Sequence, residues 1–140
     1  MKQLCYASRS TSVQPELLND LRNILSEARD FNARHGVTGV LYFADGYFFQ
    51  CLEGADSVLE VLLTKLKKDS RHQDVQIYRV KDIEQAHFLD WNMKYVSRSS
   101  KAFQLLHEQG QAKFQPFSMN SQQIDEFVSH LYTAPPDEAA

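Results

Sequence analysis

The sequence predicts an α+β fold, with two amphipathic helices covering one face of a mixed β-sheet. Three observations predict it. Several short stretches place apolar residues at strand spacing, and two longer stretches repeat them at helical spacing. Between two of the strand-like runs lies Asp45-Gly46, the dipeptide of a tight hairpin.

The elements follow in order. Lys2 to Ser8 reads as a strand, and Ser10 to Gln14 as a polar loop. Pro15 suits a first helical turn, and Leu17, Leu18, Leu21, Ile24, Leu25, Ala28 and Phe31 carry the helical period to about Ala33. His35-Gly36 ends that helix. Val37 to Phe43 and Tyr47 to Leu52 are strands on either side of the hairpin. A second helix runs from about Asp56 to Lys68, with Val58, Leu62 and Leu66 on one face. Val75 to Val80 is a fourth strand, Ile83 to Leu89 a turn of helix, and Met93 to Val96 a short fifth strand. The order βαββαβ plus one strand resembles the split βαβ, ferredoxin-like pattern.

The remainder differs in character. Lys101 to Gly110 and Gln122 to Tyr132 carry weaker helical patterns, broken at Gln115-Pro116, and Pro135-Pro136 ends ordered structure. The reading is a domain over residues 1–96 and a helical extension over 97–140. The extension either packs on the open face of the sheet or docks onto another protein.

Composition narrows the function classes. At 140 residues and 43% hydrophobic, the chain supports one domain with a real core. A net charge of −3 offers no electrostatic reason for direct nucleic-acid binding. No apolar run approaches the roughly 20 residues that span a bilayer. The start, Met1 to Tyr6, enters a strand directly and leaves no room for a signal peptide, so the expected compartment is the cytoplasm. Cys5 and Cys51 lack ligand spacing and are expected as free, small apolar side chains. His35, His87, His107 and His130 also lack ligand spacing, so no metal site is expected.

Two polar residues stand out within strands. By period-2 parity Tyr6 shares a face with Leu4, and Gln50 with Phe48 and Leu52. A phenol and a primary amide therefore point inward, where unpartnered burial costs about 1–3 kcal/mol each. Asn32 lies on the stripe of the first helix that carries Leu21, Leu25 and Ala28. The three converge where that helix crosses the first and third strands. Such a cluster suits the edge of a flat heterocycle with carbonyl and N–H groups, and it equally suits a self-satisfied polar network.

With the flanking residues included, the chain resembles a BLUF domain, the sensor of blue light using FAD. The matching residues are Leu4-Cys5-Tyr6-Ala7-Ser8, Asn32 with Gly36-Val37-Thr38-Gly39-Val40-Leu41, and Phe48-Phe49-Gln50-Cys51-Leu52-Glu53-Gly54. Asp69-Ser70-Arg71-His72 and Phe88-Leu89-Asp90-Trp91-Asn92-Met93 complete the match, which runs from Lys2 to about Val96. Each piece alone is weak, and the set is specific.

The resemblance implies FAD held between the two helices, with its ring toward the sheet. It implies that Tyr6 hydrogen-bonds Gln50, that Gln50 contacts the ring around N5 and O4, and that Asn32 holds the ring's polar edge. Light then drives electron and proton transfer from the tyrosine, the glutamine amide rearranges, and the absorption shifts slightly red. Trp91 and Met93 flank the same region and take part in the photochemistry. Arg71 and His72 suit the cofactor's phosphates or a solvated loop, and Lys65 stands where an arginine near the cofactor tail is common. Departures from the pattern are Phe31 beside Asn32, Asn92 between Trp91 and Met93, and Ala86 ahead of Phe88. The expected function is a non-enzymatic photoreceptor that engages a separate effector or regulatory protein in a light-dependent way, with self-association open. The rival reading is a small FAD-dependent oxidoreductase on the same fold.

Overall fold

Strand β1 (Lys2–Ser10) is paired on both sides, antiparallel to β3 (Tyr47–Gly54) and to β4 (His72–Asp82). This is a computed structural model, and it describes residues 1–89, 91–97 and 113–136. β2 (Thr38–Ala44) lies antiparallel to β3 on one edge and parallel to β5 (Lys94–Ser97) on the other. The strand order is β4-β1-β3-β2-β5, so the ferredoxin-like expectation stands, with the fifth strand added beside β2.

Local chemistry sets the element ends. α1 (Gln14–His35) carries its proline in the first turn and stops at Gly36, whose φ of 69° closes the helix by an N–H bond to the Asn32 carbonyl. The hairpin between β2 and β3 has Asp45 at φ 53° and Gly46 at φ 86°, the left-handed pair that matches strand twist. α2 (Asp56–Lys68) opens on an acid and ends on three lysines, which complement its dipole.

The sheet is covered on both faces. α1 and α2 pack on the face carrying Leu4, Tyr6, Leu41, Phe48 and Leu52. The opposite face carries Cys5, Ala7, Val40, Tyr42, Phe49, Cys51 and Val96. It is covered by α3 (Ser121–Thr133), which brings Ile124, Phe127, Val128 and Leu131, with Phe114 beside them. For the described part of the extension, residues 113–136, packing on the open face is observed. A capping box at Asn120 and Gln123 starts α3. The break before it is a single 3-10 turn at Pro116–Ser118. The helical pattern at 101–110 lies outside the described residues.

Two expectations need correction. Residues 83–89 form bends rather than a turn of helix. The amide N–H groups of His87 and Phe88 donate to Glu53 Oε1 at 2.8 and 2.9 Å, so a carboxylate from β3 replaces helical carbonyl partners. β4 is longer than Val75–Val80, because its polar flanks still pair with β1 through two register shifts. Cys5 and Cys51 are free thiols facing each other across β1 and β3 under α3.

Candidate functional site

The site grows from the register of two strands. Tyr6 and Gln50 are direct partners in the β1–β3 ladder, on the face that α1 and α2 cover. That register brings the Tyr6 hydroxyl 2.6 Å from Gln50 Oε1, to which it donates. Both residues are buried. Burial pushes the Tyr6 pKa well above the ordinary phenol range, so the group is a neutral donor. The amide nitrogen of Gln50 has no hydrogen-bond partner among the described residues, and Gln50 lines a cavity of about 420 Å³ between α1 and α2.

Asn32 enters the same cavity from α1. Its Nδ2 donates to the Asn92 carbonyl at 2.6 Å. A carbonyl accepts only, so this bond sets the amide orientation and leaves Oδ1 as an acceptor. That oxygen is fully buried with no partner among the described residues. One turn earlier, Arg29 Nε donates to the Met93 carbonyl at 3.1 Å. Met93 is buried and lines the cavity. Trp91 does not: it lies in the loop before β5, 37% exposed, with its backbone bonded to Gly39 and Phe88.

The cationic residues divide. Lys65 and Arg71 line the cavity, and the Lys65 ammonium lies 4.5 Å from the centre of the Phe31 ring, a cation–π contact. Arg71 is held by two carboxylates, Asp69 Oδ2 and Glu27 Oε2, each 2.6 Å from its Nη2. Its hydrogen bonds to Asp69 hold the carboxyl below the usual range and raise the guanidinium's own pKa. His72 is turned away from the main cavity. Its Nε2 donates to the Leu66 carbonyl at 2.5 Å, Nδ1 shares a hydrogen bond with Ser8 Oγ at 2.7 Å, and its ring packs near Tyr6 and Phe48. It lines a small adjoining void with Tyr6 and Gln50.

Sequence reasoning quoted Glu53 within a motif and assigned it no role. The structure makes it a buried hub. Its carboxylate accepts from Gln3 Nε2 at 3.1 Å and Thr38 Oγ1 at 3.3 Å, besides the two amides of the 83–93 loop. Gln3 Nε2 also reaches the Tyr132 hydroxyl on α3 at 3.0 Å. A charged residue in a run of buried strand positions was the available signal.

The donor set fits a flavin. Asn32 Oδ1 is an orphan acceptor for an imide N–H, the Gln50 amide nitrogen is a free donor for a ring nitrogen or carbonyl, and apolar walls of Ile24, Ala28, Leu52 and Leu66 suit a flat ring system. Comparison with known proteins agrees. The family model described as sensors of blue-light using FAD matches residues 1–94. The chain belongs to this BLUF family of blue-light sensors, and its cofactor is FAD.

Among solved structures, BlsA in its photo-activated state is 41% identical, with a TM-score of 0.91 and 98% of each chain covered. BlrB, a BLUF protein in its dark state, is 26% identical with a TM-score of 0.78 and 94% of each chain covered. Photoactivated adenylate cyclase subunit beta of Euglena gracilis is 30% identical over 67% of this chain, and the match spans 11% of that protein. In the corresponding subunit of Euglena longa identity is 34% over 64% of this chain and 10% of that protein. The chain is thus a photosensor matching a small part of those cyclase subunits. No helix among the described residues is long and apolar enough to cross a membrane.

Proposed function

We propose that Tyr6 and Gln50 form the photochemical pair of this sensor, that Asn32 anchors the cofactor ring, and that residues 97–140 pass the signal to a separate effector or regulatory protein in the cytoplasm. The carrying observation is the 2.6 Å bond from the Tyr6 hydroxyl to Gln50 Oε1, with the other end of the amide open to the cavity. When bound, FAD supplies blue-light absorption and a ring that accepts an electron and a proton. The chain supplies the rest. Tyr6 enters as a buried neutral phenol whose proton points at Gln50. Its bond holds the amide with oxygen toward Tyr6 and nitrogen toward the cavity. Losing that donor removes the preference, and the amide rotates or tautomerises, so that a different pattern of donors and acceptors faces the ring.

Arg71 contributes a positive charge at the cavity wall, already shared with Glu27 and Asp69, while Lys65 offers an ammonium that, among the described residues, rests on the Phe31 ring and pairs with no carboxylate. Lys65 is therefore the more available partner for the cofactor's phosphates, and His72 supports Tyr6 and Phe48 by packing. Met93, which lines the cavity, would lie against the bound cofactor, and Trp91 would take part from the loop before β5.

The test is Gln50→Leu. The leucine keeps similar bulk and removes both hydrogen-bonding functions, so FAD is retained and the light-induced red shift is lost. A normal red shift in that variant overturns the assignment.

A further inference from the structure

Met93 immediately precedes β5 and Lys94 opens it, and packing sends their side chains to opposite faces of the sheet. Met93 faces the cavity, and Lys94 faces α3. Although it is a lysine, Lys94 is only 3% exposed. Its ammonium donates to the carbonyls of Leu131 and Ala134 at 2.8 Å each, and reaches that of Tyr132 at 3.5 Å. It also lies 5.4 Å from the centre of the Phe88 ring. No carboxylate pairs with it among the described residues. The last turn of a helix leaves carbonyls unpaired and carries the negative end of its dipole, so the end of α3 is what solvates this buried cation. Separating the two strands a buried charge on one side and orphan acceptors on the other, each of which is costly.

The pocket side of the same backbone is equally tied. Asn32 Nδ2 holds the Asn92 carbonyl and Arg29 Nε holds that of Met93. Three consecutive residues, Asn92, Met93 and Lys94, thus run from the ring-anchoring helix to the end of α3. A displacement of residues 92–93 is carried to Lys94 by the stiffness of the strand, with no further side chain needed.

We propose that Lys94 is a releasable latch: in the dark it holds α3 on the sheet, and the lit-state change at residues 92–93 withdraws its ammonium and frees the apolar face of Ile124, Phe127 and Leu131. The inference rests on the reading that the extension carries the output. Lys94 is a positioning residue and touches no part of the cofactor site.

The test uses the intact FAD-loaded protein and an amine-acylating reagent, N-hydroxysuccinimidyl acetate, with modification read by peptide mass in darkness and under blue light. Exposed Lys67 is the internal reference. Lys94 is expected to label slowly in the dark and about 5- to 150-fold faster in light, the span of ordinary coupling free energies, while Lys67 is unchanged. Hydrogen exchange over residues 121–134 is measured on the same samples. If exchange there responds to light and Lys94 labelling does not, the latch is overturned and the output reading survives. If neither responds while the flavin still shifts red, the output reading fails and the latch with it. Lys94→Met gives a second arm: the red shift persists, α3 exchanges faster in the dark, and its lit–dark difference disappears. Persistence of that difference in the methionine variant also overturns the latch.

Discussion

Tyr6 donates to Gln50 across a single rung of the β1–β3 ladder. The rung matters because Cβ atoms of direct antiparallel partners lie about 4.5–5.5 Å apart, close enough for the phenol to be held on the amide by strand register alone. A slip of one residue would send one of the two to the α3 side. The photochemical geometry is therefore built into the sheet.

The first prediction follows from that rung. Tyr6→Phe keeps the ring and removes the donor and the oxidisable phenol. Flavin binding persists, fluorescence lives longer, and no stable red-shifted state forms. Transient absorption reads all three, and an efficient wild-type photocycle refutes the pairing.

Asn32 has two tasks, orienting itself on Asn92 and offering Oδ1 to the cavity. Asn32→Ala removes both, so FAD affinity falls more than in Gln50→Leu. Each lost hydrogen bond is worth about 0.5–1.5 kcal/mol, or more where a buried ring group is left unsatisfied. Titration of the two apoproteins with FAD checks the order, which must not be equal or reversed.

Glu53→Gln tests the hub. The carboxylate faces amide donors with both oxygens, and a glutamine must turn its own N–H₂ toward one of them. The expected loss is about 1–3 kcal/mol of unfolding free energy by urea denaturation. Faster hydrogen exchange over 87–93 accompanies it, with FAD still bound. Unchanged stability and exchange would leave Glu53 without its structural role.

Acid titration isolates Asp69. Its pKa is depressed in the fold, chiefly by its hydrogen bond to Arg71, so the pair's contribution is present above the ordinary aspartate range. It is lost as pH falls through the lower folded value. Asp69→Asn should therefore lower the melting temperature near neutral pH and flatten its fall on the acid side, relative to the wild type. Parallel melting curves over that range would show that the ion pair carries none of the acid sensitivity.

What the sequence determined by itself is what repeats locally: the strand and helix periods, the Asp-Gly hairpin, the inward parity of Tyr6 and Gln50, and the motif set that resembles a FAD-binding light sensor. These signals reside within one element or its immediate ends. Tertiary structure decided the partnerships. Arg71, which reads as a phosphate partner or a solvated-loop residue, is also held by Glu27 from 44 residues away. Trp91, which the resemblance places beside the cofactor, sits in the loop outside the cavity, and Glu53 holds residues 83–89 out of a helix. Lys94, to which the sequence reading gives no role, is buried under the end of α3. A charged side chain follows whichever buried polar group needs it, and that choice depends on strand register and on which helix covers each face, neither of which is encoded in a single segment.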